Sequence, residues 1–313
     1  MRIVLVDPSR AVQRAMRELI AQGGHEVLSF YEGKKALDCI KADAEVRALI
    51  TSVQLPDISG LDLCSAARRL AGSRRPLFII VMSSTEDFGL VVKALDNGAD
   101  DFIPKPPMVE ELRARLRAAD RLTSMQCELI KYATTDSLTG LLNRRAFLED
   151  ASEACGGAGI GHPLSTILFD IDHFKSINDG HGHEAGDIVL ATVGTAAKMV
   201  ANGAVGRLGG EEFCILEHCD LGDAVELAEA LRSSVKNLKF SKSELGNITC
   251  SFGVAEWEQG DTIDRLLRRA DIAMYDAKSK GRDRVVATDQ FALTDRQDNK
   301  WQEITAAPKR ARG

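Results

Sequence analysis

The sequence lacks the features of a membrane or secreted protein. No apolar run approaches the roughly 18 to 20 residues that a membrane-spanning helix needs, and the N-terminal MRIVLVDPSR has no signal-peptide pattern. The seven cysteines are odd in number and form no C-x-x-C pair, which disfavours disulfides and a zinc site. An excess of basic residues is also missing, since the formal net charge is −6, so nothing favours binding to nucleic acid or an anionic membrane. We therefore expect a cytoplasmic protein with reduced thiols and with neither nucleic-acid nor membrane partners.

The chain is long enough for two domains of ordinary size, with 313 residues of which 44% are hydrophobic. Its first part alternates apolar runs with segments of helical pattern. Strands are predicted at 2–7, 26–30, 48–52, 77–83 and 101–104, and helices at 9–22, 33–42, 59–71 and 86–97. Apolar runs without alternation suit strands that are buried on both faces. The pattern predicts an α/β fold with a five-stranded, doubly wound parallel sheet.

One long helix is predicted over 107–134. Apolar residues recur along it at intervals of three or four, namely Leu112, Leu116, Ala119, Leu122, Met125, Leu129 and Tyr132. A narrow apolar seam flanked by charge is typical of a helix that pairs with a copy of itself. We expect the first two turns to pack on the chain's own sheet and the remainder to form a dimeric coiled coil, with packing of the whole helix on its own sheet as the alternative.

A second, α+β domain is predicted over 135–288. It contains strands at 164–171, around 207–217 and at 248–255, helices near 184–200, 222–237 and 262–280, and a loop at 155–163. The stretch RLGGEEF (207–213) holds a Gly-Gly pair between apolar runs, which predicts a hairpin and an antiparallel part of the sheet. Beyond residue 288 the chain is polar, and 289–313 is expected to be a disordered tail.

Two stretches of this domain suggest chemistry. In FDIDHFKSINDGHGHEAGD (169–187), Asp170 and Asp172 follow one another on one face of a strand end, a pattern that suits Mg²⁺ but also an ordinary solvated strand terminus. Lys175 could bind phosphate, and Asn178 and Asp187 could bind a base edge. The two glutamates of RLGGEEF are either solvated turn residues or metal ligands.

Two further blocks decide between these alternatives: DSLTGLLNRR (136–145) and AMYDAKSKGRDRV (273–285). Together, in this order and at these separations, the four blocks resemble the GGDEF family of diguanylate cyclases, in the GGEEF form of the signature. The resemblance implies condensation of two GTP molecules to cyclic di-GMP with loss of two pyrophosphates. It also implies a homodimer, because each domain holds one GTP and the active site forms between two domains.

The resemblance also implies roles for individual residues. Asp170 and Glu212, with the backbone carbonyl of Ile171, would hold two Mg²⁺ or Mn²⁺ ions per active site. Glu211 would share a metal or help to deprotonate the 3′-hydroxyl, and the family pattern does not settle which. The hairpin glycines Gly209 and Gly210 would lie against the nucleotide. The triphosphate would be bound by Lys175, Lys278 and Arg282. The guanine base would be bound by Asn178 and Asp187. Lys278 and Arg282 would share one helix face if the helix extends that far. Asp187 would select GTP over ATP. A carboxylate can accept from both the N1–H and the exocyclic N2–H₂ group of guanine, whereas adenine offers no such pair of donors.

One regulatory feature of many family members is missing. An inhibitory product site, R-x-x-D, ends six residues before the first signature glycine, and here that stretch is Val200-Ala201-Asn202-Gly203. Val200 and Gly203 occupy the two charged positions, so there is no arginine at this site to bind the guanine and phosphate groups of the product. We expect weak or no product inhibition through this site.

The first 118 residues resemble the receiver domain of two-component response regulators, through VLVDPSR, LPDISG, VMSS and NGADDFIPKP with Lys105. The phosphoacceptor position at the end of the third strand holds Ser52, and Pro8 stands where a second acidic residue is expected. Serine cannot form the acyl phosphate, so we expect no aspartyl phosphorylation; Asp57, in the following loop, is a poor substitute. The domain would instead serve dimerisation, dock a protein partner or answer an unidentified signal.

Two function classes remain at this point. The first is an active diguanylate cyclase that dimerises through the receiver domain and the helix 107–134. The second is a catalytically silent GTP- or cyclic-di-GMP-binding protein that acts through partner contacts. The altered receiver favours the second, whereas the complete set of expected residues in 135–288 favours the first. A nucleic-acid-binding regulator is disfavoured by the acidic composition.

Overall fold

The computed structural model describes residues 1–72, 74–84, 88–159, 161–240 and 246–288. They form two compact units, Met1–Lys131 and the residues from Tyr132 onward. The predicted tail, 289–313, lies outside the described residues. Among the described helices, none combines the length and the apolar character that crossing a membrane requires.

The first unit is built on a five-stranded parallel sheet in the order β2-β1-β3-β4-β5. Its strands are β1 (Arg2–Val6), β2 (Glu26–Phe30), β3 (Val46–Ser52), β4 (Phe78–Ser83) and β5 (Asp101–Pro104). Ile3 and Leu5 of β1 belong to one apolar core and Val4 to another, on the opposite face. The predicted doubly wound α/β fold is therefore confirmed.

Helices cover both faces of this sheet. They are α1 (Arg10–Gln22), α2 (Gly33–Ala42), α3 (Gly60–Ala71), α4 (Phe88–Asp96) and α5 (Val109–Thr134). Side-chain caps explain two of the starts, since the hydroxyl of Ser9 accepts from the N–H of Val12 and that of Ser59 from the N–H of Leu61.

Helix α5 uses two different faces along its length. Leu112 is buried in the first unit, as predicted for the first two turns, and burial continues beyond them to Leu116, Ala119 and Thr123. Further along, the side chains of Leu122, Met125, Leu129 and Tyr132 are 45%, 55%, 66% and 81% exposed. At 100° per residue these four lie about a third of a turn away from the buried face. The single predicted seam is therefore two stripes, and the second one, called the α5 stripe below, is left to solvent in the single chain.

The second unit is built on a six-stranded mixed sheet in the order β11-β10-β7-β9-β8-β6. Its strands are β6 (Leu142–Asn143), β7 (Ser165–Ile171), β8 (Ala204–Gly209), β9 (Glu212–Glu217), β10 (Cys250–Glu256) and β11 (Arg284–Ala287). The pairs β8–β9, β9–β7 and β7–β10 are antiparallel, and the outer pairs are parallel. The predicted hairpin and the α+β class are confirmed.

Its helices are α6 (Arg144–Gly157), α7 (Phe174–His181), α8 (His183–Val200), α9 (Leu221–Lys236) and α10 (Ile263–Ser279). Helices α6 and α7 were not predicted. The loop predicted at 155–163 is wrong for residues 155–157, which belong to α6. Phe147, Ala151 and Cys155 are buried along one face of this helix, and their packing extends it to Gly157. Ahead of Asp187, Gly182 has φ 84° and joins α7 to α8.

A second difference concerns the end of α10. The helix ends at Ser279, and Gly281, Arg282 and Asp283 follow in a turn with positive φ. Lys278 and Arg282 therefore do not share a helix face. The predicted helix at 262–280 agrees with α10, and the condition under which Lys278 and Arg282 would share a helix face is not met.

Candidate active site

Two acidic residues face each other on the central strands of the second unit. Asp170 of β7 is paired in register with Glu212 of β9, and Ser251 of β10 lies on the other side of Asp170. Residues paired in this way point to the same face of the sheet. Glu211 precedes Glu212 directly and closes the hairpin, and its backbone carbonyl accepts from the N–H of Ile171 at 3.4 Å.

The hairpin that carries the glutamates has an unusual backbone. Gly209 has φ 154° and Gly210 has φ 51°, so at least the second needs glycine or a tolerant residue. The guanidinium of Arg207 donates to the carbonyl of Gly210 at 2.7 and 2.9 Å and to the carboxylate of Asp136 at 3.1 Å. Asp136 also accepts from the N–H and hydroxyl of Thr139. The 136–145 block thus holds the hairpin in shape, a role that sequence reasoning did not assign to it.

The pKa of the Asp170 carboxyl is strongly perturbed. Burial raises the pKa of Asp170 to about 6, and the charges of Glu211 and Glu212 act in the same direction. Lys278 opposes them, since its ammonium lies 2.8 Å from the Asp170 carboxylate. The site therefore concentrates negative charge and already holds one cation of the chain.

The donors suit a hard divalent metal. Mg²⁺ is commonly held by one or two carboxylates together with phosphate oxygens and water. Asp170, Glu211 and Glu212 are oxygen donors of this kind, close together at one end of β7. The described residues contain no group of three or more His, Cys, Asp or Glu side chains already gathered for a metal.

Asp172 is not available as a metal ligand. This buried carboxylate accepts from the hydroxyls of Thr249 and Ser251, each at 2.7 Å, and from the N–H of Asp283 at 3.1 Å. Both of its oxygens are engaged. Asp172 follows Asp170 by two residues, but its contacts are structural ones.

The residues predicted to bind nucleotide lie on three helices and one turn. Lys175 and Asp187 are exposed on α7 and α8, and Asn178 is half-buried on α7. Lys278, on α10, contacts Asp170, whereas Arg282 lies exposed in the turn beyond that helix.

A glycine lets the side chain of Asn178 pack against the start of α8, next to Asp187 in the chain. A Cβ at Gly186 would lie 2.0 Å from the Oδ1 of Asn178 and 3.1 Å from the ring of Phe174. The side chain of Asn178 therefore rests on the bare backbone just before Asp187. Sequence reasoning missed Gly186, although its place next to Asp187 in a helix was a signal, since glycine is costly there without a packing reason.

The 200–203 stretch is tied down by a carboxylate of the same unit. Glu217, buried at the end of β9, accepts from the N–H of Asn202 at 2.6 Å and from that of Gly203 at 2.8 Å. Val200 is the last residue of α8. The carboxylate of Glu217 therefore lies against the backbone of Asn202 and Gly203.

In the first unit, three polar side chains meet at the carboxyl ends of β1, β3 and β5. Lys105 forms an ion pair with the fully buried Asp7, and its ammonium is 3.5 Å from the hydroxyl of Ser52. The carboxylate of Asp57 is occupied elsewhere, because it accepts from the N–H of Gly33 at 2.8 Å and of Lys34 at 2.9 Å. Burial alone would raise the pKa of Asp57, and these N–H groups of the α2 N-terminus outweigh it and lower the pKa.

Comparison with known proteins covers both units. The family model described as "Diguanylate cyclase, GGDEF domain" matches residues 133–284, and that described as "Response regulator receiver domain" matches residues 3–117. The response regulator PleD of Caulobacter vibrioides is 36% identical over 301 residues, which are 91% of this chain and 65% of PleD. The diguanylate cyclase VdcA of Vibrio cholerae is 35% identical over 211 residues, 65% of this chain and 61% of VdcA. The chain thus spans less than two thirds of the length of these relatives.

A solved structure supports the same assignment. The crystal structure of the coiled coil and GGDEF domain of DgcB from Caulobacter crescentus, in complex with c-di-GMP, is 34% identical with a TM-score of 0.53. The match covers 57% of this chain and 98% of the DgcB chain. The resemblance predicted from the four sequence blocks is therefore confirmed: the chain belongs to the GGDEF family and carries a response-regulator receiver domain ahead of its GGDEF domain.

Proposed function

We propose that this protein is a diguanylate cyclase that condenses two GTP molecules to cyclic di-GMP and two pyrophosphates. The observation that carries the proposal is the paired Asp170 and Glu212 beside the double-glycine hairpin, with Lys278 at the carboxylate. This arrangement offers carboxylates for metal ions and a cation for phosphate within one strand end. Its relatives include proteins named as diguanylate cyclases.

Asp170, Glu212 and the backbone carbonyl of Ile171 are proposed to hold two Mg²⁺ or Mn²⁺ ions per active site. When bound, such ions neutralise phosphate charge and lower the barrier to forming the attacking 3′-alkoxide. Glu211 either shares a metal or accepts the proton of the 3′-hydroxyl. The raised pKa of Asp170 supports the ligand role, because a buried carboxylate among other carboxylates gains most from a bound cation.

The chain's own residues would orient each GTP. Gly209 and Gly210 leave room for the nucleotide against the hairpin backbone, and Lys175, Lys278 and Arg282 bind the triphosphate. Asn178 and Asp187 bind the guanine edge, and Asp187 excludes adenine because adenine does not offer the same pair of donors. The contact of Asn178 with Gly186 supports this part, since it sets the Asn178 amide against the residue that precedes Asp187.

Catalysis would require two copies of the chain. Each domain holds one GTP, and the 3′-hydroxyl of each attacks the α-phosphate of the other. The α5 stripe supports a homodimer through the helix 107–134 and the receiver domain, because four large apolar side chains at heptad spacing are exposed in the single chain.

The receiver domain is proposed to act without aspartyl phosphorylation. Ser52 occupies the acceptor position, Asp7 is already paired with Lys105, and Asp57 binds the start of α2. The domain would serve as a dimerisation platform or as a docking site for a protein partner. We further propose domain limits of 1–118, 107–134 and 135–288, and a cytoplasmic location.

Product inhibition through the 200–203 stretch is proposed to be weak or absent. Val200 and Gly203 offer no charge for a dinucleotide, and the carboxylate of Glu217 bound to the adjacent N–H groups would repel its phosphates. Inhibition by cyclic di-GMP that is lost when Asn202 or Gly203 is altered would contradict this.

The test is incubation of the purified protein with GTP and Mg²⁺ over a wide range of protein concentration. We expect pyrophosphate and cyclic di-GMP, with specific activity that rises as the protein dimerises. Binding of GTP without turnover at any concentration would favour the alternative, a silent GTP- or cyclic-di-GMP-binding protein that acts through its partners.

A further inference from the structure

We propose that Asp172 and Asp283 are positioning residues that fix the turn 281–283 and, through it, the guanidinium of Arg282. The inference rests on the proposed function, in which Arg282 binds the triphosphate. It assigns a role to the second aspartate of FDID and to the aspartate of GRD, both of which lie outside the proposed ligand sets.

The turn 281–283 has a strained backbone. Its φ angles are 109° at Gly281, 62° at Arg282 and 44° at Asp283, and two of these three residues carry a side chain. A non-glycine residue in the left-handed region costs on the order of 1–3 kcal/mol, and such conformations persist where the surroundings over-determine them. Contacts to the turn must therefore supply that stabilisation.

The inner contact is Asp172. Its carboxylate accepts from the N–H of Asp283 at 3.1 Å and is itself held by the hydroxyls of Thr249 and Ser251 at 2.7 Å. Asp172 is 5% exposed, so these bonds are shielded from water. Because Asp172 follows Asp170 at the end of β7, the turn is anchored to the same strand end as the proposed metal ligands.

The outer contact is the carboxylate of Asp283. It accepts from Arg232 at 2.8 Å and from Lys236 at 2.6 Å, two cations one turn apart on α9. Burial alone would raise the pKa of Asp283, but the bonds from Lys236 and Arg232 outweigh it and hold the pKa below its usual range. Asp283 is therefore an anion clamped between α9 and the strand end.

Two further bonds fix the backbone of Arg282 itself. Its N–H donates to the carbonyl of Ala277 at 3.0 Å, and its carbonyl accepts from the guanidinium of Arg284 at 3.0 Å. The side chain of Arg282 is exposed. The network thus holds the backbone from several sides and leaves the guanidinium directed to solvent, beyond the helix that brings Lys278 to Asp170.

A double-mutant cycle between Asp283 and Arg282 tests the inference. Arg282→Ala and Asp283→Asn are each expected to raise the KM for GTP about tenfold, with kcat much less affected. Asparagine keeps the shape of the side chain and tolerates the left-handed region. In the Arg282→Ala background, Asp283→Asn should change KM less than about twofold. If Asp283 acts only through Arg282, its substitution has little further effect once Arg282 is gone, so the effects of the two substitutions do not add.

Controls separate positioning from general stability. Besides Asp283, Arg232 also pairs with Glu229 on the same helix, with 2.8 Å between its guanidinium and the Glu229 carboxylate. Glu229→Gln removes this second ion pair but leaves Asp283 unchanged, so the KM for GTP should not change. Arg232→Lys, which keeps a cation for Asp283, should restore most of the affinity that Arg232→Gln loses. Asp172→Asn should act in the same direction as Asp283→Asn, and Thr249→Val provides a milder variant if Asp172→Asn does not fold.

The possible outcomes are distinct. An Asp283→Asn effect on KM that matches that of Glu229→Gln, or that persists undiminished without Arg282, overturns the positioning role while leaving the cyclase intact. If the wild-type chain binds GTP without turnover, the cyclase proposal fails and the same cycle is measured in the Kd of GTP. A chain that binds no GTP overturns both.

Discussion

At the scale of single residues, the proposed active site depends on side chains that the fold places in unfavourable surroundings. Asp170 is buried beside two other carboxylates, which raises its pKa to about 6. Lys278 compensates part of this charge from 2.8 Å. Removing the partner of a buried charge is costly, so the pair explains how the strand end stays folded before any metal or substrate binds.

The packing of Asn178 on Gly186 gives a prediction about substrate binding. In Gly186→Ala the new Cβ would lie 2.0 Å from the Asn178 Oδ1, so the amide must move. We expect the KM for GTP to rise about tenfold, the equivalent of roughly one hydrogen bond to the base. Steady-state kinetics measure this.

Gly180→Ala is the matched control, because a Cβ at Gly180 meets nothing within 4 Å. Its KM should equal that of the wild type. An unchanged KM in Gly186→Ala, with a normal melting curve, would show that Asn178 does not bind guanine from this position.

At the scale of elements, the sequence predicted the five strands of the first sheet and the four central strands of the second with their hairpin, because apolar runs and the Gly-Gly pair are local signals. It missed the short outer strands β6 and β11. It missed α7, since DGHGHE has the composition of a turn and the helix is stabilised by burial of Phe174 and Ile177. It also missed the turn after α10, whose conformation depends on Asp172, 111 residues away in the chain. Local patterns cannot show such long-range bonds.

The bond between the 136–145 block and the hairpin predicts a pH-dependent contribution to stability. Burial opposes ionisation of Asp136, but Thr139 and Arg207 outweigh it and lower its pKa. The stabilisation is therefore complete above the unfolded pKa of about 3.9 and is lost as the pH falls through the lower folded value. Asp136→Asn should lower the melting temperature at pH 7 and lower it less as the pH approaches 3.

Asp136→Asn should also lower the cyclase activity. Because the neutral amide of Asp136→Asn keeps an acceptor oxygen but offers Arg207 no negative charge, the hairpin should be held less firmly and kcat should fall. Thermal melts across pH and turnover at pH 7 measure the two effects. A destabilisation that is equally large at pH 3 and pH 7 would contradict the charge argument.

The α5 stripe predicts that dimerisation can be separated from folding. Leu129→Glu and Met125→Glu place a charge on side chains that are 66% and 55% exposed, so the single chain should fold normally. Sedimentation should show a dissociation constant at least about tenfold weaker, as expected for a charge at a coiled-coil seam. Cyclic di-GMP synthesis at low protein concentration should fall in parallel.

Ser124→Glu, exposed on another face of α5, is the control and should leave the dimer unchanged. A full-strength dimer in Leu129→Glu and Met125→Glu would locate the self-association elsewhere on the molecule.

At the scale of the whole molecule, the two units differ in how much of their family's chemistry they keep. The GGDEF domain has every predicted carboxylate and cation, whereas the receiver pocket holds Ser52 and an internal pair between Asp7 and Lys105. Sequence comparison of positions alone located this difference. In the structure the carboxylate of Asp57 accepts from the N–H groups of Gly33 and Lys34 at the start of α2, which supports the prediction that Asp57 does not replace the acceptor.

Phosphorylation of the receiver is therefore expected to fail. Incubation with acetyl phosphate and Mg²⁺, followed by intact-mass spectrometry, should detect no added phosphoryl group and no change in cyclase activity. A stable adduct that disappears in Asp57→Asn would contradict the account.

The most direct test of the central claim is the stoichiometry of GTP turnover by the wild-type chain and by Glu212→Ala and Glu211→Ala. With Mg²⁺ present, we predict one cyclic di-GMP and two pyrophosphates for every two GTP consumed by the wild type. Both variants should make no product while keeping the wild-type fold, as judged by circular dichroism. Wild-type protein that binds GTP and releases no pyrophosphate, or product formation that survives in either glutamate variant, would contradict the proposed active site.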